Sequence, residues 1–131
     1  MNPGDELETR TFSITRGDLV RYAGASGDFN PIHWSDRVAT SVGLPGVIAH
    51  GMLTLALTAS AVDGWAGGPG RVVELASKFT KPVVVPDDDT GVDLVVAGTV
   101  TSVENGLATI ALTVTCGDQK VLGAPKAVVR A

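Results

Sequence analysis

Asp28, Asn30 and His33 fall within the run SGDFNPIH, Ser26 to His33, which places one of the chain's two histidines five residues after a carboxylate. A carboxylate and an imidazole held side by side form a general acid/base pair, each able to take or give a proton near neutral pH once burial or the partner tunes it. They converge only if the chain between them bends. Pro31 fixes one backbone angle and Asn30 can bond its own backbone, so the hexapeptide has the means to present both side chains to one cavity. The same residues also spell an Asx turn, with Asp28 and Asn30 capping backbone groups and His33 half-buried. Spacing alone leaves both readings open.

The second histidine, His50, directly precedes Gly51 where a long apolar run begins. A backbone N–H at the positive end of a helix can hold a developing oxyanion, and glycine lets a substrate carbonyl approach closely. Alternatively, Gly51 eases a crowded helix start and His50 helps to cap it. Asp28, His33 and His50 together have the composition of a facial metal triad. Their spacing matches no metal motif, so no metal or other cofactor is expected. Cys116, the single cysteine, lies in an alternating apolar run and reads as structural rather than as a nucleophile.

The elements that must position these residues follow from the apolar pattern. Glu6 to Ile14 alternates loosely and predicts a strand. Thr15, with Asp18 three residues on, has the form of a capping box for a short helix that GASGDFNP ends. Ser35 or Asp36 can cap a second short helix through Val42. Ala49 to Val62 is apolar nearly all round, which predicts a helix enclosed on most sides. DGWAGGPG is a loop. Period-two patterns then predict strands over Arg71–Val85, Val92–Val103, Leu107–Cys116 and Lys120–Val129. PDDDTG, ENG and CGDQK supply the turns. Helices segregated from strands mean α+β: a five-stranded antiparallel sheet wrapped around one long helix. Tyr22 and Phe29 are expected to pack. Trp34 and Trp65 belong to the core or to the wall of a tunnel, and Arg71, Lys78 and Lys81 to a solvated face or to phosphate contacts.

A chain of 131 residues is one domain, with no repeat or composition break. At 44% apolar it folds rather than remaining disordered. A formal net charge of −4 argues against general nucleic-acid binding. The start MNPGDELETR lacks an apolar h-region, and Val47 to Val62 is shorter than the roughly 20 residues a membrane span needs. With a lone cysteine, these features predict a cytoplasmic protein without membrane attachment.

YAGASGDFNPIHWSDRVA, Tyr22 to Ala39, resembles the signature of the (R)-specific enoyl-thioester hydratases, also called MaoC-like dehydratases. In that signature an aromatic residue leads through Gly-Asp-x-Asn-Pro-x-His to a small residue. GVIAHGML, Gly46 to Leu53, resembles the family's second block, which opens its central helix, and FTKPVVVPDD resembles a third, weaker one. VRYAGASGDFNPIHW is especially similar to the catalytic B subunit of the bacterial (3R)-hydroxyacyl-ACP dehydratase of type II fatty-acid synthesis. The resemblance implies a single hot-dog domain over residues 1–131, not the tandem form of larger members. It implies reversible syn hydration of trans-2-enoyl thioesters of CoA or acyl carrier protein. Asp28 and His33 become the catalytic dyad, Asn30 shapes their loop, and the Gly51 amide becomes the oxyanion donor. Which of Asp28 and His33 is the acid stays open. A homodimer, or a heterodimer with a sister hot-dog subunit, is implied as the working unit. A hot-dog thioesterase and a non-catalytic substrate-holding subunit are the rival functions.

Overall fold

The computed structural model describes residues 1–131. The chain opens with strand β1 (Arg10–Ile14), passes through the short helices α1 (Arg16–Ser26) and α2 (Asp36–Ser41), and enters its long helix α3 (Gly51–Ala66). Strands β2 (Val72–Phe79), β3 (Val92–Glu104), β4 (Leu107–Cys116), β5 (Gln119–Lys120) and β6 (Leu122–Arg130) follow. All pairings are antiparallel, and the sheet runs β1-β3-β4-β6-β2 with β5 on β4. This is the expected α+β hot-dog arrangement, with six strands instead of five. The additional strand arises at CGDQK. Gly117 and Asp118 turn the chain so tightly that Gln119 and Lys120 pair back on Cys116 and Thr115. The strand then bends, with Ala124 at φ +45°, before β6 pairs with β4 from Lys126 onward.

Local signals account for most boundaries. The Thr15 hydroxyl accepts from the Asp18 N–H and the Asp18 carboxylate accepts from the Thr15 N–H, the reciprocal pair that starts α1. Gly27, at φ +77°, stops α1 in the left-handed conformation that glycine adopts without strain. The Ser35 hydroxyl caps α2 through the Val38 N–H. Asn105 and Gly106, at φ +52° and +75°, close the β3–β4 hairpin. The strand expected from Glu6 begins only at Arg10, and Glu6 keeps a single bridge to Thr99. α3 runs past the expected Val62 to Ala66, so half of DGWAGGPG is helical.

The strand expected over Arg71–Val85 ends at Phe79. Pro82 cannot donate to a ladder. Beyond it, Val83–Val85 instead run alongside Val47–Ala49, with Ala49 N–H donating to Val83 O at 2.8 Å and Val85 N–H to Val47 O at 3.0 Å. This strap leads directly into α3.

The core lies between α3 and one face of the sheet. Leu94, Val96 and Val100 of β3, Ile110, Leu112 and Val114 of β4, and Ala127 and Val129 of β6 alternate inward and are buried. Gly98 stands where the next inward side chain would be. A Cβ there would come within 2.9 Å of the Trp65 ring, so its absence lets the end of α3 settle onto the sheet. Trp65 donates through Nε1 to Glu8 O at 2.8 Å. Enclosure of α3 is incomplete. Thr54, Thr58, Ala61 and Val62 are buried, whereas Leu53, Leu55 and Leu57 are half-buried and Met52 is 58% exposed. One sheet covers one side of a helix, and this chain supplies no second layer. No helix is long and apolar enough to cross a membrane.

Candidate active site

The dyad loop, the strap and the start of α3 are tied together through backbone groups. Ile48 N–H donates to Ile32 O at 3.1 Å, which joins the dyad loop to the strap. Asp36 accepts the Val47 N–H at 2.9 Å and pairs with Arg16 at 2.9 Å, and Arg16 Nε donates to Val85 O at 2.7 Å. The Val47 amide, aided by the Arg16 guanidinium, holds the Asp36 carboxyl below its ordinary pKa.

Asp28 and His33 emerge from this frame facing each other. Asp28 Oδ1 accepts the Asn30 N–H at 3.1 Å, and Asn30 Oδ1 accepts the Ile32 N–H at 3.2 Å, capping the 3₁₀ turn Pro31–His33. The Asx turn that competed with the acid/base reading is therefore present, and it occupies only Oδ1. Asp28 Oδ2 stands 3.8 Å from His33 Nε2, too far for a hydrogen bond. His33 Nδ1 lies 2.7 Å from Ile48 O. A carbonyl only accepts, so Nδ1 carries a proton, and Nε2 is the nitrogen turned toward the Asp28 carboxylate. His33 is buried and the Asp28 side chain is half-exposed.

His50 occupies the N-cap position of α3 but makes no side-chain cap, contrary to the capping reading. Its ring turns inward and stacks on His33, with centroids 3.8 Å apart and planes 22° from parallel, and Tyr22 meets it edge-on at 4.8 Å. His50 Nε2 donates to Asp28 O at 3.1 Å. Burial, reinforced by neighbouring His33, lowers the His50 pKa, while the bond to the Asp28 carbonyl and the Asp28 carboxylate work in the opposite direction. One potential ligand atom each from Asp28, His33 and His50 lies within 4.8 Å of the others. Imidazole lone pairs lie in the ring plane, so two nearly parallel stacked rings do not aim theirs at one point about 2 Å from both nitrogens. The trio does not fit a metal.

Gly51 is the first residue of α3, and its N–H donates to no acceptor within the chain. A Cβ on Gly51 would lie 3.1 Å from the Phe79 ring, so glycine keeps an opening there. The opening belongs to a cavity of about 360 Å³ lined by His33, Gly51, Thr54, Phe79 and Lys81 among others. His33 and Gly51 thus share one cavity. Asp28 flanks His33 from outside its wall, and Asn30 acts from behind through the turn. Thr54, Phe79 and Lys81 were not singled out by sequence for this cavity. The signal for Thr54 is its place one helical turn after His50, a polar residue on the inward side of an apolar helix. Phe29, expected to pack, is 62% exposed, and Trp34, expected in the core or in a tunnel wall, is 53% exposed and so lies outside the core. Burial pushes the Cys116 thiol pKa up, and the Asp93 carboxylate adds to the rise, which disfavours a thiolate there.

An antiparallel sheet packed on one long helix, with an Asp–His pair beside the free N–H of that helix, is the architecture of a hot-dog protein. The family profile described as "MaoC like domain" matches residues 1–118, and the chain belongs to the MaoC-like dehydratase family. A 3-hydroxyacyl-thioester dehydratase X of Mycobacterium tuberculosis is 41% identical over 73 residues, 56% of this chain and 25% of that protein. A 3-hydroxybutyryl-CoA dehydratase of Methylorubrum extorquens is 33% identical over 110 residues, 83% of this chain and 68% of its own length. Among solved structures, a MaoC-like dehydratase superposes with a TM-score of 0.95 at 38% identity, covering 99% of this chain and 40% of that one. The chain therefore spans well under half of two of these relatives and about two thirds of the third.

Proposed function

We propose that this chain catalyses reversible syn hydration of trans-2-enoyl thioesters to (3R)-hydroxyacyl thioesters, as a hydro-lyase of fatty-acid metabolism. The observation that carries the reading is the pairing of a free helix-start N–H, at Gly51, with a histidine base in one cavity, His33, that also faces a carboxylate. The thioester carbonyl sits on the Gly51 amide. With Nδ1 committed to Ile48 O, His33 is the base: in dehydration its Nε2 takes the C2 proton, and the electron pair left behind is held as an enolate on the carbonyl oxygen. The imidazolium passes that proton to the facing Asp28 carboxylate. The enolate then collapses to the C2–C3 double bond as the C3–O bond breaks, and Asp28 gives the proton to the departing hydroxyl, which leaves as water with His33 neutral and Asp28 ionised as at the start. Hydration runs the same steps backward, and both proton transfers occur on one face of the substrate. Asn30 keeps Asp28 Oδ2 free by holding Oδ1 in the turn.

The substrate carrier is CoA or acyl carrier protein, and the reaction belongs in the cytoplasm. The assay is direct: purified protein mixed with crotonyl-CoA loses the conjugated enoyl absorbance without releasing free thiol. Free thiol appearing at the rate of substrate loss would indicate a thioesterase, and no turnover of any enoyl thioester would indicate a substrate-holding subunit.

A further inference from the structure

Of the groups around the dyad, His50 is the one to which the reaction assigns no task. It is 2% exposed, and its Nδ1 is a buried polar atom with no partner. A packing role does not explain it, since a phenyl ring would fill the same space without leaving a nitrogen unsatisfied. What an imidazole adds at this position is the Nε2–H, and that group points at the Asp28 carbonyl, 3.1 Å away. The titratable groups facing His50 are Tyr22 from α1, His33 from the 3₁₀ turn and Asp28 from the loop between them.

We propose that His50 is a positioning residue for the dyad: a permanently neutral imidazole that tethers the Asp28 backbone through Nε2–H and forms the flat wall against which His33 keeps its ring plane. Two stacked imidazoles then carry their protons on opposite nitrogens. His33 is held as the Nδ1–H tautomer by Ile48 O and His50 as the Nε2–H tautomer by Asp28 O. The arrangement fixes both partners from behind, because neither Asp28 Oδ2 nor His33 Nε2 is used for anchoring. Neutrality is part of the task. A proton on Nδ1 of His50 would find no acceptor, and a cation 3.8 Å from the His33 ring would oppose the charge His33 must gain when it takes a proton. Burial of His50 works in the same direction.

This inference rests on the dyad reading above, and two measurements separate its failure from failure of that reading. Nitrogen-15 spectra of the histidine-labelled wild-type protein at neutral pH are expected to show two neutral rings of opposite tautomer, whether or not a substrate is ever turned over. Kinetics then test the consequence. His50→Phe keeps the buried ring and loses the tether, and is expected to lower kcat by ~10- to 10²-fold with KM nearly unchanged, the order of loss that a displacement of about 1 Å brings. His50→Gln places an N–H donor where Nε2 was and is expected to recover part of that loss. A cationic His50, or one protonated at Nδ1 in the wild type, overturns the proposal, as does a folded His50→Phe variant with wild-type kcat. If both variants fail to fold, the wild-type tautomers decide.

Discussion

At His33 the two ring nitrogens have separate surroundings, and the separation makes the proposed dyad testable. Nδ1 is anchored to Ile48 O, which leaves Nε2 as the nitrogen through which the proposed reaction would move protons. Asp28 is split in the same way, with Oδ1 in the turn and Oδ2 facing the histidine. In the proposed reaction His33→Ala removes the base, and Asp28→Asn keeps the turn acceptor while removing the proton carrier. Each is expected to lower hydration of a trans-2-enoyl thioester by at least ~10²-fold with the fold retained, the usual cost of a lost acid/base group. Circular dichroism and crotonyl-CoA kinetics on the two variants check this. Near-normal turnover by either folded variant would sink the assignment.

At the scale of the element, the start of α3 supplies a backbone donor, which no side-chain deletion can remove. Proline can remove it. The first helical position tolerates proline because its N–H has no intrahelical partner, and His50, at φ −58° and ψ 131°, already has the extended conformation that a residue before proline requires. Gly51→Pro and Gly51→Ala both place a Cβ against Phe79, but only alanine keeps the N–H. The proline variant is therefore expected to be slower than the alanine variant by ~10²–10³, the cost of one oxyanion donor, at similar thermal stability. Equal rates in the two variants would remove Gly51 from the mechanism. Elements of this kind were largely legible in the sequence. Thr15 with Asp18, Ser35, Asn105 with Gly106, and the period-two runs fix boundaries through contacts within a few residues. The strap was not legible, because the β-branched run Val83–Val85 reads as the end of a strand and only the distant Val47–Ala49 segment decides what it pairs with. The His50 stack was hidden for the same reason. A histidine before a glycine at a helix start reads as a cap, and its inward turn depends on an Asp28 carbonyl that local sequence does not place beside it.

For the whole molecule, the apolar surfaces left uncovered lead to the expectation of a second hot-dog unit. α3 is apolar nearly all round, yet the sheet covers one side, leaving Met52 exposed and Leu53 and Leu57 beside a second cavity of about 340 Å³. β2 is a sheet edge, carrying Val73 and Phe79 at 51% and 57% exposure. An unpaired apolar edge is a liability that proteins cover or pair. Phe79 also closes against Gly51, so whatever covers the β2 edge borders the cavity that holds His33. Under the proposed function, the acyl chain of a substrate anchored at Gly51 is expected to lie along a wall to which such a partner contributes. The chain expressed alone is expected to be a dimer by light scattering, burying well over ~1,000 Å². Introducing a lysine at Val73, outside the dyad, is expected to shift it toward monomer and to lower activity on long acyl chains more than on crotonyl thioesters. A sister subunit, where one pairs with this chain, is expected to extend the wall and move the preference to longer acyl chains. A monomer with full activity on every chain length would contradict the shared wall, and an inactive homodimer rescued by a sister subunit would make the heterodimer the working enzyme.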